Sequence, residues 1–387
     1  MSLKPAVQIS RRIAEIGREA WDDCASNPAY QGNPFVSFDF LDIVEEANCA
    51  VERTGWGPQH LSVLDEAGQV AAVMPAYLKS HSQGEYVFDH AWADAYERAG
   101  GRYYPKLISA APFTPATGPR LLVRPDVDAQ EAWPLLLGGA LALCERYEAS
   151  SFHVNFPTQQ EWSWMGEQGL SLRQGRQYHW ENRGYATFDD FLGALSSGRR
   201  KTIRRERREA QGQVEIFSLT GSQITEDHWD AFFAFYMDTG SRKWGRPYLN
   251  RLFFSLLGER MAERVLLVMA RRDGRWIAGA LNLIGDDCLY GRNWGCVEEV
   301  PFLHFELCYY QAIDFAISRG LARVEAGAQG EHKIARGYLP SPVYSTHFIA
   351  DPRLRAPVEE FLQREREAVE GEMEWLADEY SPFRQGD

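Results

Sequence analysis

Cysteine is sparse in this chain and never paired. The six residues (Cys24, Cys49, Cys144, Cys288, Cys296 and Cys308) are scattered over 387 positions without one Cys-x-x-Cys spacing. In a chain this long they read as reduced thiols, which points to a cytoplasmic protein. Cys288, Cys296 and Cys308 sit in apolar stretches, a poor setting for a thiolate nucleophile. Long apolar runs are missing too: none approaches the ~18 residues of a membrane span. Met-Ser-Leu-Lys-Pro at the start has no apolar signal core. The expectation is therefore a soluble chain with no membrane insertion. The histidines do not fall at metal-ligand spacing, so no metal site is expected. The Gly-x-Ser-x-Gly elbow, His-Glu-x-x-His, the Gly-x-x-x-x-Gly-Lys-Ser/Thr loop and the dinucleotide fingerprint are all absent. Positive charge is in deficit, and a net charge of −13 argues against general nucleic-acid binding.

What is present is apolar and aromatic. Hydrophobic residues make up 45% and aromatics 13%, with 12 Trp, so the chain can bury more than one core. Domains usually run ~100–200 residues, which predicts at least two. Ile13 to Cys24 and Pro34 to Ala47 read as short helices, the second with Ser37 as N-cap. His60–Asp65 and Val70–Lys79 flank Glu66-Ala-Gly68 as a hairpin, and Glu85–Asp89 reads as a third strand. An aromatic, proline-rich passage from Trp92 to Arg120 follows, too apolar for a free linker. A helix at Glu131–Glu148 and a strand at Ser151–Phe156 close this half.

One segment runs against the acidic balance. Arg199, Arg200, Lys201, Arg204, Arg205, Arg207 and Arg208 crowd one helical stretch. It reads either as a surface for a phosphate-bearing partner such as tRNA or as a solvated helix face eased by Glu206 and Glu209. Beyond it the order of elements repeats. Val214–Leu219 is a strand, Glu226–Asp238 and Leu249–Ala262 are helices, and Val265–Ala270, Trp276–Ile284 and Leu289–Trp294 are strands. Phe302–Ser318 is a helix, followed by strands at Arg323–Ala326 and Tyr344–Ile349 and a last helix from about Pro357 to Glu379, packing on the second half. This looks like duplication of one α/β unit.

The densest chemistry lies after strand Arg323–Ala326. Gly327-Ala-Gln329-Gly-Glu331-His332-Lys333-Ile-Ala-Arg336-Gly337 offers an acid, an imidazole, an amine and a guanidinium on glycine-rich backbone. Loops at the carboxyl end of a strand are where α/β sheets hold their sites. The bland reading is a solvated turn between strands. Glu325 lies on the strand itself and points to the same end.

The order of elements is that of the GNAT acyltransferase fold. Gly327–Tyr338, Tyr290-Gly-Arg-Asn-Trp-Gly, Tyr103-Tyr-Pro-Lys and Pro112-Phe-Thr-Pro resemble the FemAB-like proteins, a GNAT-related family tied to peptidoglycan biosynthesis. The resemblance runs from about Asn33 to about Tyr380. It implies an α/β fold of two tandem GNAT-like domains with mixed, mostly antiparallel sheets flanked by helices. The expected divisions are 1–190, a basic connecting helix at 191–213, and 214–387. It also implies transfer of an acyl or aminoacyl group to a small-molecule or peptide amine, with no prosthetic group. The donor is aminoacyl-tRNA or acyl-CoA.

Such a transfer needs a base for the ammonium proton and donors for the oxyanion. Glu331 and His332 are the base candidates, with Glu306 a third that reads more readily as a helix-start acid favoured by the macrodipole. Lys333, Arg336 and Arg292 would hold a carboxylate or phosphate. Gln329, Trp294, Tyr236, Asp238, Arg242 and Trp244 complete the expected substrate contacts. Gln329, Glu331, His332, Lys333 and Arg336 are predicted to lie at a cleft within reach of Arg292, Trp294 and Tyr236. One departure stands out: Arg292-Asn-Trp-Gly295-Cys-Val297 occupies the place of the pyrophosphate loop, but ends in Val and runs into Glu298-Glu299. Two carboxylates there repel a pyrophosphate, which weakens the CoA reading.

Overall fold

The computed structural model describes residues 3–243, 247–328 and 330–384, the side chains of 241–243 excepted. Along the chain the first elements are β1 (Leu3–Ser10), α1 (Arg18–Ala25), α2 (Phe38–Glu46), β2 (Trp56–Pro58), β3 (His60–Asp65), β4 (Val70–Met74) and β5 (Tyr77–Lys79). Then come α3 (His90–Arg98), β6 (Lys106–Ser109), β7 (Leu122–Val123), α4 (Ala129–Arg146), β8 (Ser151–Asn155), α5 (Gln159–Glu167) and β9 (Ser171–Glu181). The later part holds α6 (Phe188–Ala194), α7 (Ser197–Gln211), β10 (Glu215–Thr220), α8 (Glu226–Lys243), α9 (Arg251–Arg260), β11 (Val265–Arg272), β12 (Arg275–Ile284) and β13 (Cys288–Cys296). It ends with α10 (Leu303–Phe305), a π turn at Glu306–Tyr310, α11 (Gln311–Arg319), β14 (Arg323–Glu325), β15 (Leu339–Ile349) and α12 (Pro352–Glu379).

Contacts divide the chain into two units, Met1–Gly175 with Val343–Glu370, and Arg176–Pro342 with Gly371–Asp387. Each is a mixed sheet with helices, and the fold is tandem GNAT-like. In unit 1, β1-β3-β4-β7 forms one sheet, and β15-β8-β6-β5-β2 is a second run of strands. There β6 and β8 are parallel over Leu107↔Phe152 to Ser109↔Val154. One face of these strands (Leu107, Phe152, Val154) packs on Leu136, Leu137, Ala140 and Leu143 of α4. In unit 2 the order is β10-β11-β12-β13-β14-β9, with β13 and β14 parallel. Its core sets Leu266, Val268, Leu289 and Val324 of the strands against Ala312, Ile313 and Ala316 of α11.

Local signals account for most of the boundaries. Ser37 Oγ accepts from Phe40 N at 3.3 Å and starts α2. The expected helix at 13–24 is broken, because Gly17 takes φ +92 between a 3₁₀ turn and α1. Glu85–Asp89 is not a strand: Glu85 and Asp89 both turn down onto Lys106. In the aromatic passage, His90–Arg98 is helical. Glu331–Arg336 is a 3₁₀ turn rather than open loop. The last helix starts earlier than expected and does not pack on the second unit alone. Leu362 belongs to a unit 1 cluster with Trp92, Tyr103 and Ile349, while Leu376 joins the unit 2 core.

Candidate functional site

In unit 2, β13 and β14 pair at Cys288↔Arg323, Leu289↔Val324 and Tyr290↔Glu325, and then part. β13 runs on to Cys296, crossing so tightly under α8 that a Cβ on Gly295 would meet the Phe235 carbonyl at 2.3 Å. The other strand turns away at Gly327. Parting strands leave main-chain groups that need partners. Tyr178 N donates to Gly327 O, and Ala326 N donates to Tyr178 O, each at 3.2 Å. Lys333 supplies the rest, its Nζ donating to the carbonyls of Ala326 and Gly327. Lys333 is thus buried under the loop, with no acidic partner among the described residues. Burial pushes its pKa down to about 8.

Arg336 also turns inward. Its Nη2 donates to both oxygens of buried Glu206, at 2.8 and 2.9 Å, and its guanidinium lies 3.5 Å from the centre of the Phe305 ring. Glu331 is exposed, its nearest basic group being Arg176 at 3.9 Å. His332 faces outward onto an aromatic patch. Its Nε2 lies 3.1 Å from Tyr309 Oη, and its ring packs against Phe305 and His304. Gly330 is required beneath it, since φ is +98 and a Cβ would meet the imidazole at 2.3 Å. Burial, then Arg336 and Lys333, lowers the His332 pKa below its ordinary value, so the ring is neutral at pH 7.

His304 carries the patch onward to Trp294, their ring centres 5.2 Å apart. These two rings, with Thr239, Cys296, Val300 and Leu303, line a cavity of about 560 Å³ whose remaining wall includes Glu298 and Glu299. Glu298 pairs with Arg275 at 3.0 Å. The carboxylates noticed in the sequence therefore line this cavity.

The predicted convergence is only partial. His332 reaches Trp294 through His304, whereas Lys333 and Arg336 point into the fold. Glu306 is fully buried in the π turn and accepts from Arg207, from Gln211 at 2.8 Å and from Gln311 at 2.7 Å. Those bonds lock α7 to the π turn and leave Glu306 no room to serve as a base. Arg207, which also pairs with Asp314, is consequently not part of any solvated basic face. Tyr236 packs on Phe254, and its Oη accepts from Leu249 N at 3.1 Å. Asp238 and Arg292 are half-buried on α8 and β13. The Arg242 side chain, Trp244 and Gln329 lie outside the described residues.

Glu325 was noticed on its strand in the sequence, whereas the charged group of unit 1 escaped that reading. Glu325 pairs across the strands with Tyr290 and His179, is buried, and leaves Oε2 without a hydrogen bond, 3.9 Å from His179 Nε2. In unit 1 the face opposite α4 is charged. Trp56, Lys79 and Lys106 stand in one row across β2, β5 and β6. Lys106 Nζ donates to Ser82 and Glu85, each at 2.8 Å, and to Asp89. Burial lowers the Lys79 pKa to about 6 and raises that of Glu85 to about 7. For Lys106 burial acts downward, but Glu85 and Asp89 more than offset it and keep the amine charged. Beside this group His153 and His347 face each other, Nδ1 to Nδ1, at 2.7 Å. The signal was present: Tyr77-Leu-Lys79 and Lys106-Leu-Ile each carry a lysine in an apolar strand, and a lysine buried there needs an acid.

No helix among the described residues is long and apolar enough to cross a membrane, and none of their His, Cys, Asp and Glu groups is arranged to hold a metal ion. No curated protein sequence matches the chain. FemX superposes with a TM-score of 0.55 at 12% identity, over 88% of this chain and 98% of its own. So does the C-terminal domain of an Agrobacterium fabrum protein named as a lysylphosphatidylglycerol synthetase, at 0.55 and 12%, over 89% and 96%. A conserved protein of unknown function from Bacteroides thetaiotaomicron gives 0.50 at 9%, over 88% and 99%. Likeness at such identities speaks for the fold. The family follows from the sequence itself: residues 12–385 match the FemAB-like family of peptidoglycan biosynthesis or recognition, and the chain belongs to it.

Proposed function

We propose that this protein is an N-acyltransferase whose unit 2 moves an aminoacyl group onto an amine. The observation that carries the reading is the cavity beside His332. The neutral imidazole of His332 packs against His304, whose ring lines the cavity together with the carboxylates of Glu298 and Glu299. In the tautomer that donates from Nε2 to Tyr309, His332 Nδ1 offers a lone pair to the acceptor's ammonium proton. The amine then attacks the donor's carbonyl carbon, the new amide bond forms, and the ester oxygen leaves with a proton. Glu298 and Glu299 disfavour a CoA pyrophosphate and suit the α-ammonium of an aminoacyl donor. FemX and the lysylphosphatidylglycerol-type protein share this fold, and an aminoacyl donor fits the family's link to peptidoglycan.

The test offers charged tRNA or acetyl-CoA with a lysine-containing peptide and follows peptide mass. Transfer is expected from the aminoacyl donor, with His332→Ala slower by ~10²–10⁴-fold, the usual weight of a general base. The thermal transition should stay where it is, since His332 is exposed. Preference for acetyl-CoA, or unchanged turnover in the folded variant, would overturn the reading.

A further inference from the structure

The charged face of unit 1 has more hydrogen-bond acceptors than the protein's own donors fill. The three hydrogens of the Lys106 ammonium go to Ser82, Glu85 and Asp89. Tyr103 gives its hydroxyl to the Asp89 oxygen that Lys106 already holds. Glu85 Oε1, Asp89 Oδ1 and Asn155 Oδ1 are left without a partner, in side chains only 4%, 3% and 1% exposed. Lys79 does not fill the gap. It lies 3.9 Å from Glu85 Oε1 and donates to Gln83 O at 3.3 Å, over the face of Trp56. Asn155 Nδ2 reaches the main-chain oxygen of Glu85 at 3.5 Å, so the amide and the acidic segment meet. Buried acceptors normally have donors, and three bare ones against a single sheet face mark a place for a donor-rich guest.

We propose that this face is a binding site for a primary ammonium group, which would donate to Glu85, Asp89 and Asn155. The chemistry matches in number and in sign. A primary ammonium brings three N–H donors, and Lys106 alone cannot balance two carboxylates. Between Glu85 and Asp89 in the chain, Tyr86 and Phe88 have exposed rings. This site belongs to unit 1, and its occupancy is read without any turnover.

Its pH dependence has a definite sign. The titratable and charged groups on and around this face are Lys79, His81, Glu85, Asp89, Tyr103, Tyr104, Lys106, His153, Arg173 and His347. Asp89 stays ionised, because the charge and hydrogen bond of Lys106 and the hydroxyl of Tyr103 outweigh its burial. Lys106 stays charged, and Tyr103 and His153 stay neutral. Glu85 ionises near pH 7 and Lys79 loses its proton near 6, so both changes favour a bound cation as pH rises.

The experiment is calorimetric titration of the full chain with ethylammonium chloride at pH 8, with tetramethylammonium, which has no N–H, at equal ionic strength. Saturable ethylammonium binding is expected, at least tenfold weaker for tetramethylammonium, for Asn155→Leu and for Glu85→Gln, and weaker for wild type at pH 6. Circular dichroism shows which variants fold. If Glu85→Gln does not, Asn155→Leu and the tetramethylammonium control carry the comparison. No saturable heat with wild type would mean that the bare oxygens hold water only. Unchanged affinity in a folded variant, or equal affinity for tetramethylammonium, overturns the site as well.

Discussion

Arg336 looks like a substrate ligand in the sequence, and in the fold it is one half of a buried ion pair. Both oxygens of Glu206 accept from its Nη2, and the two side chains are 9% and 5% exposed. Replacing Arg336 by Met keeps the bulk against Phe305 but strands the carboxylate, with only the Tyr310 hydroxyl still donating to it. Removing one member of such a pair costs ~3–5 kcal/mol, a large share of the ~5–15 kcal/mol that holds a domain together. Glu206→Leu should cost as much, because it strands the guanidinium. The double variant should recover most of the loss, since hydrophobic replacement of a whole pair is often neutral. What remains is the orphaned Tyr310 hydroxyl and the His332 carbonyl that Arg336 Nη1 held at 2.7 Å, ~1–3 kcal/mol each, of which adding Tyr310→Phe should remove the first. Urea midpoints at unchanged slope read these differences directly. If Arg336→Met costs under ~1 kcal/mol while transfer is lost, the guanidinium serves the ligand and the structural argument fails.

Two further outcomes can be stated now. Lys333 has a folded pKa of about 8 against the usual 10.5, with burial as the first cause. The unfolded chain therefore binds more protons in that window, and stability should rise as pH climbs from about 8 to about 10.5, a slope that Lys333→Met should lose; a flat urea-midpoint profile for wild type would contradict this. On α7, Arg204, Arg205 and Arg208 are exposed, so reversing all three to Glu should leave folding intact. If this face meets tRNA, wild-type retention falls steeply with salt and the variant retains nothing; retention that ignores salt leaves the face simply solvated.

How far the sequence could be read depended on whether a residue's role was local. Ser37 announces its helix because a cap acts within three residues. The β3–β4 and β11–β12 hairpins follow from turn chemistry and run length alone. The site was harder, because charge in a strand or loop does not say which way it points. Lys333 and Arg336 were grouped with His332 by proximity in sequence, yet the 3₁₀ turn sends them inward and leaves His332 on the surface. Glu306 was suspect as an acid among apolar residues. Its partners Arg207 and Gln211 sit about a hundred positions away, beyond any local pattern. The unit 1 group was missed for the same reason, as Lys106 finds its acids across the sheet.

The two units solve one problem in parallel, and the solution explains which cations are free for chemistry. Each contains a parallel pair that parts, β6 from β8 and β13 from β14. Beyond the last pair the main chain has carbonyls that no strand can satisfy. In unit 1, Arg120 is buried and its guanidinium donates to the carbonyls of Asn155, Gly118, Pro119 and Ala116. In unit 2, Lys333 does the same for Ala326 and Gly327. The residue types follow the number of acceptors. Three carbonyls in the 116–119 loop and a fourth at the end of β8 suit the fork of a guanidinium, whereas two adjacent ones need only an amine. A neutral amine keeps two N–H groups, so Lys333 can lose its proton and still hold both carbonyls, in keeping with its lowered pKa. Arginine there would bury a permanent charge with too few partners. Both cations are thus committed to the backbone that opens each sheet. The polar groups left for a substrate are those on the surfaces so exposed: His332 with its aromatic neighbours in unit 2, and the bare oxygens of Glu85, Asp89 and Asn155 in unit 1.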